Sequence, residues 1–121
     1  PLPADYNTLL EQLLKIYHDA TGCVRDGAPL GEIDRIIRKG IDAAGYAGQP
    51  SHPVAHGVGA RAHEPPYSHQ AAPGTMRAGM VLAIEPGLYW EGGGGLRLED
   101  NFLVTAKGCE RLCPYPDDFR R

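Results

Sequence analysis

The strongest constraint on the fold is a change of periodicity at Gly45. Before it, apolar residues recur every three or four positions. After it, proline and glycine become frequent and the apolar runs shorten to strand length. The first segment predicts a helix over roughly Asp5 to Asp26, with Leu9, Leu10, Leu13, Leu14, Tyr17 and Ala20 at helical spacing. Gly27 and the following Ala28-Pro29 stop it. A second helix is expected from Leu30 to Ala44. Its apolar stripe is Leu30, Ile33, Ile37, Ile41 and Ala44, while Glu32, Asp34, Arg35, Arg38 and Lys39 fill the opposite side. Gly45 suits a left-handed C-terminal cap. Beyond it, Met80 to Glu85 and Leu96 to Thr105 read as strands, joined through the glycine run Gly92 to Gly95 as a hairpin tip. Two helices followed by a mostly antiparallel sheet define an α+β chain.

Length and charge narrow the function. A chain of 121 residues carries one domain with one modest core. Its 42% hydrophobic and 22% charged residues are the balance of a globular protein rather than a disordered one. A net charge of -3 without a Lys/Arg cluster gives no footprint for nucleic acid. No apolar run approaches the ~20 residues of a membrane span, and no signal peptide is visible. The three cysteines, Cys23, Cys109 and Cys113, form no disulfide framework and suit reduced thiols in a cytoplasm. Cys109 and Cys113 have the spacing of half a zinc site, but no second Cys/His pair follows them. The chain starts at Pro1 without a Met, so a trimmed chain or a piece of a longer one is expected.

The candidate chemistry lies after Gly45. His52, His56, His63 and His69 fall within one short stretch, and Glu85 and Glu99 sit inside strand-like segments. A carboxylate within an apolar strand has a desolvation cost unless it is paired or bound to metal. Alternation puts Val81, Ala83 and Glu85 on one face, and Arg97, Glu99, Asn101 and Leu103 on one face of the second strand. If the two strands pair as a hairpin, Glu85 and Glu99 converge. His56 precedes Gly57, where a glycine permits close approach of backbone or ligand. Imidazole with carboxylates suits Mn, Co, Fe or Zn. The residues alone leave a second reading open, in which Arg97 neutralises either glutamate and the histidines are ordinary hydrogen-bonded side chains.

Three segments carry a resemblance. His56-Gly57-Val58-Gly59-Ala60-Arg61-Ala62-His63-Glu64-Pro65-Pro66, Gly79-Met80-Val81-Leu82-Ala83-Ile84-Glu85-Pro86-Gly87-Leu88-Tyr89, and Arg97-Leu98-Glu99-Asp100-Asn101 through Thr105 and Gly108 resemble, in order, three motifs of the pita-bread metallopeptidases. The Arg-x-Glu-Asp-Asn string favours the Xaa-Pro aminopeptidase and prolidase branch. The two helices, including the string from Gly27 to Asp34, are similar to the pair that precedes these motifs in the family, so the resemblance covers nearly the whole chain. It implies half of a pita-bread fold, residues 1–121 being the C-terminal portion of the catalytic domain. By position it implies His56, Glu85 and Glu99 as metal ligands, His63 and His52 as active-site histidines, Arg97 as an orienting arginine, and Glu85 as a proton carrier. His69 and His18 match nothing and are expected at the surface.

The same resemblance implies two divalent ions, Mn or Co first and Zn or Fe next, acting on peptides with proline after the scissile bond. Two further aspartate ligands of the family lie on strands N-terminal to the first helix here. Asp5, Asp19, Asp26, Asp34 and Asp42 match neither. A missing N-terminal half or a partner chain is therefore expected to supply them, little activity is expected of this chain alone, and a homo-oligomer is expected of the complete enzyme. The alternatives are a non-catalytic peptide- or protein-binding module of the same fold, and a metal-free hydrolase of creatinase type.

Overall fold

The computed structural model describes residues 6–92, 94–113, 115 and 116. Helix α1 spans Tyr6–Gly22 and helix α2 spans Gly31–Ala43. Seven short strands follow: β1 Ala55–Gly57, β2 Glu64–Tyr67, β3 Val81–Ile84, β4 Gly87–Trp90, β5 Gly94–Arg97, β6 Asp100–Val104 and β7 Cys109–Arg111. The chain is α+β, as its periodicity requires. Asp5, placed in the first helix by its sequence, lies outside the described residues. That helix ends at Gly22 rather than Asp26, because Cys23 and Val24 already turn back onto the carbonyls of Ala20 and Thr21. Gly45 takes the left-handed conformation, φ 92°, expected of the residue that follows a helix.

The apolar stripes of both helices meet the sheet in one core. Leu13, Ile16, Tyr17 and Ala20 of α1 and Ile33, Ile37 and Ile41 of α2 join Leu82 and Ile84 of β3 and Phe102 and Val104 of β6. Each fully buried Leu or Ile there contributes ~1.5–3 kcal/mol of transfer free energy. One expectation about α2 fails. Asp34, read from the sequence as part of the polar side, is only 1% exposed. The helix is covered on that side as well, because Ser68 and the backbone of residues 50–52 pack against it.

The main sheet has the order β2-β1-β3-β6-β7, with every pairing antiparallel; β4 and β5 form a separate two-stranded ribbon. The expected continuous strand from Leu96 to Thr105 is therefore two strands in two sheets. The physical reason lies at Glu85-Pro86 and Leu98-Glu99, where both arms of one long hairpin leave the ladder together. Pro86 has no N–H to give the ladder, and its carbonyl instead accepts the Leu98 N–H at 3.1 Å. The register runs through the break unchanged: Ile84 stands opposite Asp100 on one side, and Gly87 opposite Arg97 on the other. Glu85 and Glu99 thus occupy opposed positions at the interruption.

Candidate metal centre

Strand pairing assembles the site. His56 of β1 lies beside Ala83 of β3, and Ala83 shares its face with Glu85 two residues on. Leu82 and Ile84 point the other way, into the core. His56 and Glu85 are therefore brought together on the sheet face turned away from that core, where they are only 2% and 4% exposed. His56 Nε2 lies 3.3 Å from Glu85 Oε1. On the other side of the ring, Nδ1 is 3.0 Å from the Gly57 carbonyl. A proton on Nδ1 donated to that carbonyl leaves the Nε2 lone pair aimed at Glu85. Nε2 is buried and has no hydrogen-bond partner.

His63 comes from the loop that leads into β2, whose pairing with β1 shifts register between His56 and Gly57. Its ring stacks, tilted by 40°, at 4.2 Å from the His56 ring while remaining exposed. His56, His63 and Glu85 each offer a ligand atom, and these atoms all lie within 4.8 Å of one another. Gly57 makes the approach possible: a Cβ there would sit 2.5 Å from the Pro65 carbonyl oxygen.

The other residues singled out from the sequence surround Glu85. Arg97 Nη1 donates to Glu85 Oε2 at 3.2 Å, and His52 Nδ1 lies 3.9 Å from the same oxygen. The second link was not expected from spacing: Arg97 Nε donates to the Tyr89 hydroxyl at 2.7 Å, and that hydroxyl lies 2.9 Å from His52 Nε2. His52 Nδ1 meets the Pro53 carbonyl at 2.6 Å, which makes Tyr89 the donor to Nε2. The hydrogen bond to Tyr89 raises the Arg97 pKa above its ordinary value, and Glu85 and Glu99 act in the same direction, so the guanidinium is a permanent cation here. Glu99 is exposed and stands outside the group of His56, His63 and Glu85. It lines a cleft of about 600 Å³ with Tyr6, Leu14, Leu96 and Leu98. His69 and His18 are exposed, and no cysteine joins a metal-ligating cluster among the described residues.

Tyr89 and Gln49 escaped sequence reasoning. The Gln49 carboxamide accepts the Tyr89 N–H at 2.7 Å and donates to the Tyr89 carbonyl at 2.5 Å, so it pairs with β4 as a strand neighbour would. Isolated polar residues in a Pro/Gly-rich stretch give no pattern from which such a pairing is readable.

The donor set fits a divalent ion. An imidazole whose Nδ1 is fixed by a carbonyl and whose bare Nε2 faces a buried carboxylate has the arrangement typical of metal-ligating histidine. The family model of metallopeptidase family M24 matches residues 2–106. The chain belongs to that family. A peptidase of Staphylococcus haemolyticus, itself described as uncharacterized, is 38% identical over 108 residues, covering 89% of this chain and 31% of that protein. The fold superposes on the prolidase of Pyrococcus horikoshii with a TM-score of 0.91 at 33% identity, covering 98% of this chain and 34% of the other. The X-Pro aminopeptidase of Thermotoga maritima gives 0.89 at 26% identity, covering 96% and 33%. The chain thus has the architecture of part of the M24 pita-bread fold, and it spans about a third of the length of these relatives.

Proposed function

We propose that residues 1–121 are the C-terminal portion of the catalytic domain of an M24 metallopeptidase that hydrolyses the peptide bond preceding proline. The observation that carries the reading is the partnerless, buried His56 Nε2 facing the Glu85 carboxylate. The substrate class rests on the structural neighbours described as prolidase and X-Pro aminopeptidase. His56 and Glu85 would hold the ion. Glu99, opposite Glu85 across the hairpin break, would complete the set after a side-chain rotation.

A divalent ion held there, manganese or cobalt by preference, would supply an acidified water and polarise the scissile carbonyl. The protein's own groups do the rest. Glu85 receives the proton from the attacking water. Arg97 pairs with Glu85 and fixes its orientation through the 3.2 Å contact. His63, exposed beside His56, donates to the carbonyl oxygen as negative charge develops there. His52, tied to Tyr89, closes the other side of Glu85. Two further aspartates, from a preceding segment or a partner chain, would complete a second ion's site, so the assembled protein is the active species; separately, the complete enzyme would be a homo-oligomer. The three free thiols suit a cytoplasmic setting, and no described helix is long and apolar enough to cross a membrane.

The test is hydrolysis of an Xaa-Pro dipeptide and a longer Xaa-Pro peptide against Xaa-Ala controls, with manganese or cobalt. It uses the natively isolated protein together with any chain that co-purifies. Cleavage only before proline supports the reading. No cleavage by the metal-loaded assembly contradicts it, and robust cleavage by the isolated chain contradicts the need for further ligands.

A further inference from the structure

Outside the candidate centre, α2 carries a multiply bonded charged pair, Asp34–Arg38. Asp34 is buried, and Arg38 Nε approaches both of its carboxylate oxygens, at 3.0 and 3.1 Å. The remaining guanidinium nitrogens leave the helix. Nη1 donates to the Pro50 carbonyl at 2.9 Å and Nη2 to the His52 carbonyl at 3.4 Å. Residues 50–52 belong to no strand, so these carbonyls have no ladder to satisfy them. One planar guanidinium therefore brackets the backbone that carries His52. The same turn of α2 is pinned on its other side: the Asp34 N–H donates to Ser68 Oγ at 3.2 Å, and the Ser68 N–H donates to the Ala55 carbonyl, next to His56, at 2.9 Å.

We propose that Asp34 and Arg38 form a positioning device for His52, holding its backbone so that its ring meets the Tyr89 hydroxyl beside Glu85. This rests on the functional reading above only in taking His52 to serve the reaction. Two points favour positioning over plain stability. A buried ion pair adds little net stability compared with apolar residues of the same volume, so packing alone does not require these charges. In addition, all three guanidinium nitrogens are used, with Nε on the carboxylate and Nη1 and Nη2 on two carbonyls, and a lysine ammonium cannot reproduce that bracket. The effect on His52 passes through backbone; Arg38 itself does not reach the ring.

The test compares Arg38→Lys, and Asp34→Asn combined with Arg38→Gln, with the unmodified full chain. The double variant removes both charges, so no lone charge is buried. The first readout is the nuclear Overhauser contact between the His52 and Tyr89 rings, whose centroids lie 5.6 Å apart, recorded metal-free. The second is steady-state kinetics on the assembled protein. Expected are loss of the ring contact in both variants and a fall in kcat of ~10–100-fold with KM and metal content unchanged. A purely structural pair predicts that Arg38→Lys, which keeps the ion pair, behaves as the unmodified protein, and that result overturns the proposal. So does a preserved His52–Tyr89 contact in the double variant, or failure of Arg38→Lys to fold. If the unmodified assembly cleaves no Xaa-Pro peptide, the functional reading fails, while the ring contact still decides the positioning role.

Discussion

Gly57→Ala separates the geometry of the site from its ligands. The added Cβ would lie 2.5 Å from the Pro65 carbonyl oxygen and 2.8 Å from that of Glu64, both backbone atoms of β2. Ordinary contact begins at 3.4 Å, so the strand must retreat by about 0.9 Å. Overpacking of this kind typically costs ~1–3 kcal/mol. The catalytic cost is expected to be larger. β2 follows directly from His63, whose ring lies 4.2 Å from that of His56, and a misplacement of ~1 Å in a catalytic group lowers rate by ~10²-fold. His56 on β1 and Glu85 just past the end of β3 lie outside β2 and should keep their ion. The assay is thermal denaturation, metal analysis and kcat on one preparation: a modest stability loss, full metal content and kcat down ~10²-fold are expected. Gly59→Ala is the control, because the added methyl meets the movable Glu64 side chain instead of backbone. Wild-type kcat in Gly57→Ala would refute the claim that the glycine is there to seat β2 and His63 against β1.

His63→Ala should lower kcat by ~10²–10³-fold with metal content nearly unchanged, whereas His56→Ala should lower both; equal metal loss in the two would place His63 among the ligands. Ile37→Ala, at a fully buried position of α2, should cost ~2–5 kcal/mol in denaturant unfolding, and a loss below ~1 kcal/mol would contradict the shared helix–sheet core. Burial pushes the Cys23 thiol up to about 11, with nearby Glu32 adding to it. The folded chain thus holds this proton more tightly than the unfolded chain does, so the contribution is intact below about pH 9 and is lost as pH rises through about 11. Alkylation at pH 8 should accordingly modify exposed Cys113 well before Cys23, and equal rates would contradict the burial.

Much of the site was legible because its residues sit on regular elements. Alternation along Val81 to Glu85 is enough to turn Glu85 away from Leu82 and Ile84, and the motif around His56 marks a strand that needs a glycine next to it. The break between Leu98 and Glu99 was not legible: residues 96–105 alternate as one strand would, and only the accompanying departure of Pro86 on the other arm shows where the ladder stops. Glu99 is for that reason opposite Glu85 in register yet exposed. Asp34 and Arg38 were hidden by the helical wheel, which assigns charges to solvent. Their burial depends on Ser68 and residues 50–52, and no local pattern in α2 records contacts made so far along the chain.

The central claim is that this face of the sheet binds a catalytic divalent ion. Anomalous diffraction at the zinc edge from zinc-loaded crystals of the native assembly tests it directly. The account predicts a peak ~2.0–2.2 Å from His56 Nε2 and a Glu85 carboxylate oxygen, with Glu99 rotated toward it. A loaded crystal with no peak between His56 and Glu85, or with its zinc only elsewhere, would contradict the account.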